Sequence, residues 1–97
     1  MIQATPHLSE GKLLAQLEEA YANIEVGSTY AHYRGDRYQV LGLVIIDATQ
    51  EPAVLYKKLS GSDVLQSFVW VRPVQSWLES VQVESGTVPR FSKVSQD

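Results

Sequence analysis

Beyond Gly27 every apolar run in the chain is short and stops at a cluster of Gly, Pro, Asp or Ser, which restricts that stretch to strands and brief helical turns. Ser28 to Tyr33 and Arg37 to Ile46 are rich in Tyr, Val, Ile and Leu, and Arg34-Gly35-Asp36 between them has the make-up of a tight hairpin. Gly42 inside the second run predicts a bulge or a sharp bend. A polar loop over Asp47 to Pro52 leads to a strand from Ala53 to Leu59. Ser60-Gly61-Ser62-Asp63 is the next turn, and Gln66 to Arg72 the next strand. Pro73 ends that strand and suits the start of a helix, where its missing N–H would be unpaired anyway. Val74, Trp77, Leu78 and Val81 follow at helical spacing and fit one or two turns. Ser80 to Glu84 and Thr87 to Ser92, on either side of Ser85-Gly86, make a last hairpin. The pattern predicts a mainly β domain, a small SH3-like antiparallel barrel with a short helical turn after Pro73. An open antiparallel sheet with a helix packed across it is the competing architecture.

The front of the chain follows a different period. Leu13, Leu14, Leu17, Tyr21 and Ile24 recur as the stripe of an amphipathic helix, expected over Ser9 to Asn23 with Ser9 as its N-cap. A helix of that length is marginal alone, so its stripe needs a partner surface. At 97 residues, 44% apolar and 20% charged, the chain has material for one core. The expected organisation is an N-terminal extension and helix over 1–26, a β domain over 27–92 and a frayed tail over 93–97.

The net charge of −3 argues against a broad electrostatic footprint on nucleic acid or anionic membrane. Its distribution is uneven: residues 1–26 hold four Glu against one Lys, so the remainder is balanced and leaves room for a local basic groove. With no cysteine there is no disulfide framework and no thiol nucleophile, and the two histidines, His7 and His32, are too few and too far apart to predict a metal site. No cofactor motif is present either: the glycines form neither GxGxxG nor a Walker pattern. The N-terminus lacks the basic start and apolar stretch of a signal peptide, and no apolar run is long enough to span a bilayer, so a cytoplasmic protein is expected. Arg34-Gly35-Asp36 is read as a hairpin turn, not as an adhesion motif.

Candidate chemistry gathers on the strand ending at Arg72. If Val69 and Val71 face the core, then Phe68, Trp70 and Arg72 share the outer face, with Tyr56 beside them while Leu55 and Leu59 take core positions. A guanidinium next to Trp and Tyr offers a stacking plane and a bidentate donor for carboxylate or phosphate. The same residues could instead receive the leucine stripe of the first helix or a dimer contact, and Arg72 could pair with Glu79 or Glu51. His32, with Tyr30 on its side of the first strand, completes the set His32, Tyr56, Trp70 and Arg72.

The run Tyr30-Ala31-His32-Tyr33-Arg34-Gly35-Asp36-Arg37-Tyr38-Gln39-Val40-Leu41-Gly42 resembles the opening signature of the bacterial domain-of-unknown-function family 1653. Trp70-Val71-Arg72-Pro73, then Trp77 and Glu79, then Pro89-Arg90-Phe91 are similar to its closing signature, and Tyr56 falls on a tyrosine between the two. The resemblance covers roughly residues 27 to 92 and implies a compact bacterial β domain without implying an activity. Members carry a His-Ser-Glu-Thr-like stretch where this chain has Ile46-Asp47-Ala48-Thr49. The loop from Gly61 to Phe68 is longer than usual, and the N-terminal helix is additional.

These observations lead to the expectation of a noncatalytic binding or interaction module. Its ligand would be an acidic or phosphate-bearing group, or an extended peptide, met by His32, Tyr56, Trp70 and Arg72. One alternative is a small enzyme acting on a nucleotide-like metabolite, with His32 as base and Arg72 as anion holder. Another is a structural module that assembles through the first helix, with itself or with another protein.

Overall fold

The computed structural model describes residues 9–94. The expected extension ahead of Ser9 and the last three residues of the expected frayed tail lie outside them. Helix α1 (Glu10–Asn23) begins where the sequence places its cap: the Ser9 side chain accepts the Lys12 N–H at 3.3 Å. It ends as Ile24 leaves helical geometry and Gly27 turns the chain at φ 94°, a conformation that costs glycine little. The buried line of α1 is narrower than the expected stripe. Ala20 and Ile24 are buried and Leu13 and Leu17 half-buried, whereas Leu14 and Tyr21 point to solvent. Ala20 is fully buried, so the core-facing line of α1 runs through Ala20 and Ile24.

Strands β1 (Thr29–His32), β2 (Arg37–Ile46), β3 (Glu51–Lys58), β4 (Val69–Pro73) and β7 (Phe91–Lys93) form one antiparallel sheet in the order β4-β3-β2-β1-β7. Strands β5 (Ser80–Val83) and β6 (Gly86–Pro89) pair only with each other. The chain is therefore mainly antiparallel β with an N-terminal helix, but the expected SH3-like closure is not found among the described residues. β4 and β7 each have a single partner, and the chain between them goes into helix α3 (Val74–Trp77) and the separate hairpin. Helix α2 (Asp63–Gln66), capped by the Ser62 side chain, replaces the start of the strand expected from Gln66. Lys93 lies in β7 and the Val94 N–H donates to the Thr29 carbonyl, so these two residues do not fray as expected.

Gly42 marks the expected bulge. Val40 pairs with Tyr56 and Gly42 with Leu55, leaving Leu41 as the extra residue. The insertion changes the phase of β2: Tyr38 and Val40 face the core before it, and Leu43, opposite Val54, does so after it. Pro52 is tolerated in β3 because the β4 ladder reaches only Ala53, so no strand needs the missing N–H on that side.

The core lies on one face of the sheet, between the strands and the two helices α1 and α3. Ala20, Ile24, Val40, Val54, Val74 and Trp77 fill it together with the rings of Tyr30, Tyr38, Tyr56 and Phe91. Pro73 occupies the N-cap of α3, as its sequence position predicts, and delivers Val74 and Trp77 into this core.

The orientation of β4 corrects the sequence expectation. Val69 and Val71 are 56% and 50% exposed, while Trp70 packs against the core from opposite Tyr56, which is only 7% exposed. Leu59 is exposed rather than buried, and Phe68, ahead of the strand, is exposed as well. The physical reason is volume: a short sheet covered by two small helices is filled by large rings, and the register with bulged β2 places Tyr56 on the inner face. Aromatic Trp70 follows Tyr56 inward, and the branched valines are left outside.

Candidate functional site

An aromatic floor underlies the site. Trp77 stacks on Phe91 with ring centroids 3.7 Å apart and planes 3° apart, and meets Tyr30 and Tyr56 edge-on at 5.6 and 5.2 Å. Tyr38 stands edge-on to both Tyr56 and Phe91. Edge-on aromatic pairs of this kind contribute about 0.5 to 1.5 kcal/mol beyond their area burial.

Cations from separate elements gather around this floor. The Arg72 guanidinium, from β4, lies 5.5 Å from the Phe91 ring centre and donates through Nη1 to Ser76 Oγ at 2.8 Å. Arg90, immediately before β7, is ion-paired through Nη2 to Glu79 Oε1 at 2.7 Å. Its backbone is held at both ends: its N–H donates to the Glu79 carbonyl, and its carbonyl accepts from the Tyr33 N–H. Arg72 Nε and Arg90 Nε are both buried and meet no acceptor within the described residues. Lys58 Nζ lies 5.5 Å from the Trp70 ring and 5.8 Å from the Tyr38 ring. Arg34, at the exposed tip of the β1–β2 hairpin, sits 5.4 Å from the Tyr33 ring. The tip is closed by the His32 N–H to the Asp36 carbonyl and the Gly35 N–H to the His32 carbonyl. Gly35 adopts φ 110°, which a side chain would strain.

His32 is the centre of this group. Its ring meets Phe91 edge-on at 5.1 Å and leans on Tyr33 at 4.5 Å, and its Nδ1 accepts the Arg34 backbone N–H at 3.2 Å. Partial burial, and then the charges of Arg72, Arg34 and Arg90, push its pKa below the ordinary histidine value, with Asp36 opposing. The Tyr38 hydroxyl is pushed upward, first by burial and then by Asp36 and Tyr56, against Arg72.

Three of the four residues read from sequence thus have parts in one region. His32 and Arg72 share the Phe91 ring; Trp70 lies under Lys58 and opposite Tyr56, which is closed into the core and supports the floor from below. The expected pairing of Arg72 with Glu79 or Glu51 does not occur: Glu79 is engaged by Arg90, and Arg72 by Ser76. Sequence reasoning missed Arg34, Lys58 and Arg90 as members of the cluster. Arg90 had one local signal, its place directly before an aromatic strand residue. The position of Lys58 over Tyr38 follows from the β2–β3 register, which pairs those two residues and is not legible locally.

Three arginines and one histidine against Asp36 and Glu79 leave a locally positive region on a chain of net charge −3. A guanidinium held against a ring is partly desolvated, which strengthens its attraction for an oxyanion. Among the described residues no three or more His, Asp or Glu side chains are grouped to hold a metal ion, and no helix is long and apolar enough to cross a membrane.

No curated protein matches the chain. A solved structure, the crystal structure of a DUF1653 protein from Bordetella bronchiseptica, is similar at 34% identity with a TM-score of 0.67, over 78% of this chain and 94% of the other. The family model for the protein of unknown function DUF1653 matches residues 28–93, from the approach to β1 through the end of β7 and including every residue of the cationic cluster. By that match the chain belongs to the DUF1653 family.

Proposed function

We propose that the domain is a noncatalytic binding module for an acidic or phosphate-bearing group, held beside Phe91 by Arg72 and Arg90 with His32 as a further donor. The observation that carries this reading is the convergence of Arg34, Arg72 and Arg90 on one histidine and one aromatic floor. Guanidiniums in fixed orientation suit oxyanions better than a flexible ammonium does. Trp70 and Trp77 are the only tryptophans, so titration with inorganic phosphate followed by intrinsic fluorescence reads the site directly. Arg72→Ala is expected to weaken binding by about 1.5 to 3 kcal/mol, the range for a charge-assisted hydrogen bond. Unchanged affinity in a folded variant removes Arg72 from the site.

A second reading, assembly through α1, is favoured by Leu14 and Tyr21, which lie two helical turns apart on its exposed side. The double variant Leu14→Glu, Tyr21→Glu leaves Ala20 and Ile24 in place. If α1 mediates assembly, sedimentation velocity shows an oligomer for the parent chain and a monomer for the variant. A monomer in both cases rejects this reading.

A further inference from the structure

We infer that β4 is a self-pairing edge: two copies of this chain join antiparallel through their β4 strands, with Val71 of each opposite Val71 of the other, into one continuous sheet. The inference does not depend on the anion reading, and it uses a surface other than the exposed side of α1.

The two edges of the sheet are unlike. β7 has three residues, and its exposed Lys93 is ion-paired to Glu25, the short and charged form by which an edge avoids other chains. β4 has five residues, and the side chains on its outer face, Val69 and Val71, are apolar and exposed. Ahead of it Leu65 and Phe68 are exposed too, and with Val69 and Trp70 they line a shallow groove of about 290 Å³. The exposed parts of Leu65, Phe68, Val69 and Val71 make an apolar patch on the order of 400 Å² in each copy, a size that often marks a functional surface.

The backbone of this edge is open. The Leu59 N–H donates to the Arg37 carbonyl of β2, and main-chain groups point to alternate sides along an antiparallel strand, so Tyr56 and Val54 direct theirs towards β4. Their partners there are Trp70 and Arg72. The N–H and carbonyl of Val69 and Val71, and the carbonyl of Pro73, therefore face away from the sheet, and β4 has no second neighbour among the described residues.

A second copy fits this edge in one register. With a two-fold axis at Val71, the two Val71 backbones exchange hydrogen bonds, and each Val69 N–H donates to the Pro73 carbonyl of the other copy. The ring of Pro73 leaves only the Val69 carbonyl without a donor, at the end of the strand where water reaches it. Side chains match as well: Val71 meets Val71 and Val69 meets Pro73 on the outer face, while Trp70 meets Arg72 on the inner one. No like charges stand opposite each other, which an arbitrary strand would not guarantee. Because Pro73 comes opposite Val69, the start of α3 of the second copy arrives beside the groove at Phe68. Two patches and two strand edges together approach the roughly 1,200 Å² at the lower limit of a specific interface, so the dimer dissociates on dilution through the micromolar range.

Sedimentation velocity of the full chain, from micromolar to submillimolar concentration, is the test, with Val71→Lys and Val71→Glu as variants. Each variant places like charges across the axis at a half-exposed position, and each is expected to stay monomeric where the parent dimerises. An equimolar mixture of the two variants is expected to recover the dimer, because only Val71 opposite Val71 brings the lysine against the glutamate. Amide exchange of the parent supplies a reading that needs no variant: the Val69 and Val71 N–H groups exchange slowly in the dimer and faster on dilution. A parent that is monomeric throughout, with these amides exchanging at one rate at every concentration, overturns the inference and leaves the edge to an extended segment of another protein. A dimer that both Val71 variants retain overturns it as well, and its loss in the Leu14→Glu, Tyr21→Glu chain would assign assembly to α1. Monomeric variants whose mixture stays monomeric reject the pairing of Val71 with itself.

Discussion

Two regions share the inner face of the sheet and are built on different physics. Under α1, Ala20, Ile24, Val40 and Val54 are buried with no ionisable group among them, and close packing alone accounts for their arrangement. Around Phe91 the same sheet carries His32, Arg72 and Arg90 half-buried, with buried Nε–H donors lacking protein acceptors. Leaving a buried donor without an acceptor costs on the order of 1 to 3 kcal/mol, so a fold optimised only for stability would place apolar side chains there. Under the proposed binding reading, this second region is where an anion is met.

The largest effect should come from removing what the two regions have in common. Trp77 is buried under both α1 and Phe91, and Trp77→Ala is expected to cost about 3 to 5 kcal/mol in urea unfolding, enough to unfold a marginal domain. A loss below about 1 kcal/mol would mean that the aromatic floor is not the structural junction described here. Next in size, Arg72→Met keeps an apolar stem over Phe91 and removes the charge and the unpaired donor. Its unfolding free energy should remain within about 1 kcal/mol of the parent while phosphate binding weakens by about 1.5 to 3 kcal/mol. A variant that instead unfolds would make Arg72 a structural residue and erase the contrast.

Much of the architecture is legible locally. Ser9 caps α1, Gly35 makes the hairpin, Gly42 marks the bulge and Pro73 starts α3, because each acts through its own backbone or its immediate neighbours. What was not legible depends on partners distant in sequence. Alternation in β4 separates its residues into two sets but does not say which set is inside; that was decided by Tyr56 and by the extra residue Leu41 two strands away. Barrel closure failed for the same reason, since regular strand spacing does not say whether the outer strands meet. The site was half legible: His32, Trp70 and Arg72 stand out by residue type, whereas Arg34, Lys58 and Arg90 reach it through hairpin geometry and register.

A smaller effect is set by pH. The folded His32 has a depressed pKa, so the unfolded chain binds its proton more readily. Stability should therefore rise as the pH increases from the folded pKa through the unfolded value of about 6.5, and fall on acidification across the same window. Urea midpoints between pH 5 and 8 should show this slope in the parent and not in His32→Gln. The smallest effect belongs to the exposed Lys93–Glu25 pair at 2.7 Å, where Lys93 and then Ser28 hold the Glu25 carboxyl below the usual carboxylate value. Its contribution is present above the ordinary glutamate pKa and is lost as the pH falls through the depressed one. Glu25→Gln should bring a change that salt abolishes, and a large salt-independent loss would show that the pair anchors β7.

The central claim is that one anion engages the cluster as a unit. It is tested most directly by nitrogen–proton NMR of the labelled full chain during titration with inorganic phosphate, following the arginine Nε–H signals and the His32 ring. The account predicts that Arg72 Nε–H, Arg90 Nε–H and His32 shift together along one saturable curve, while the amides of Val40 and Val54 stay still. Shifts scattered over the surface without saturation, or a saturable response that leaves Arg72 and Arg90 unmoved, would contradict it.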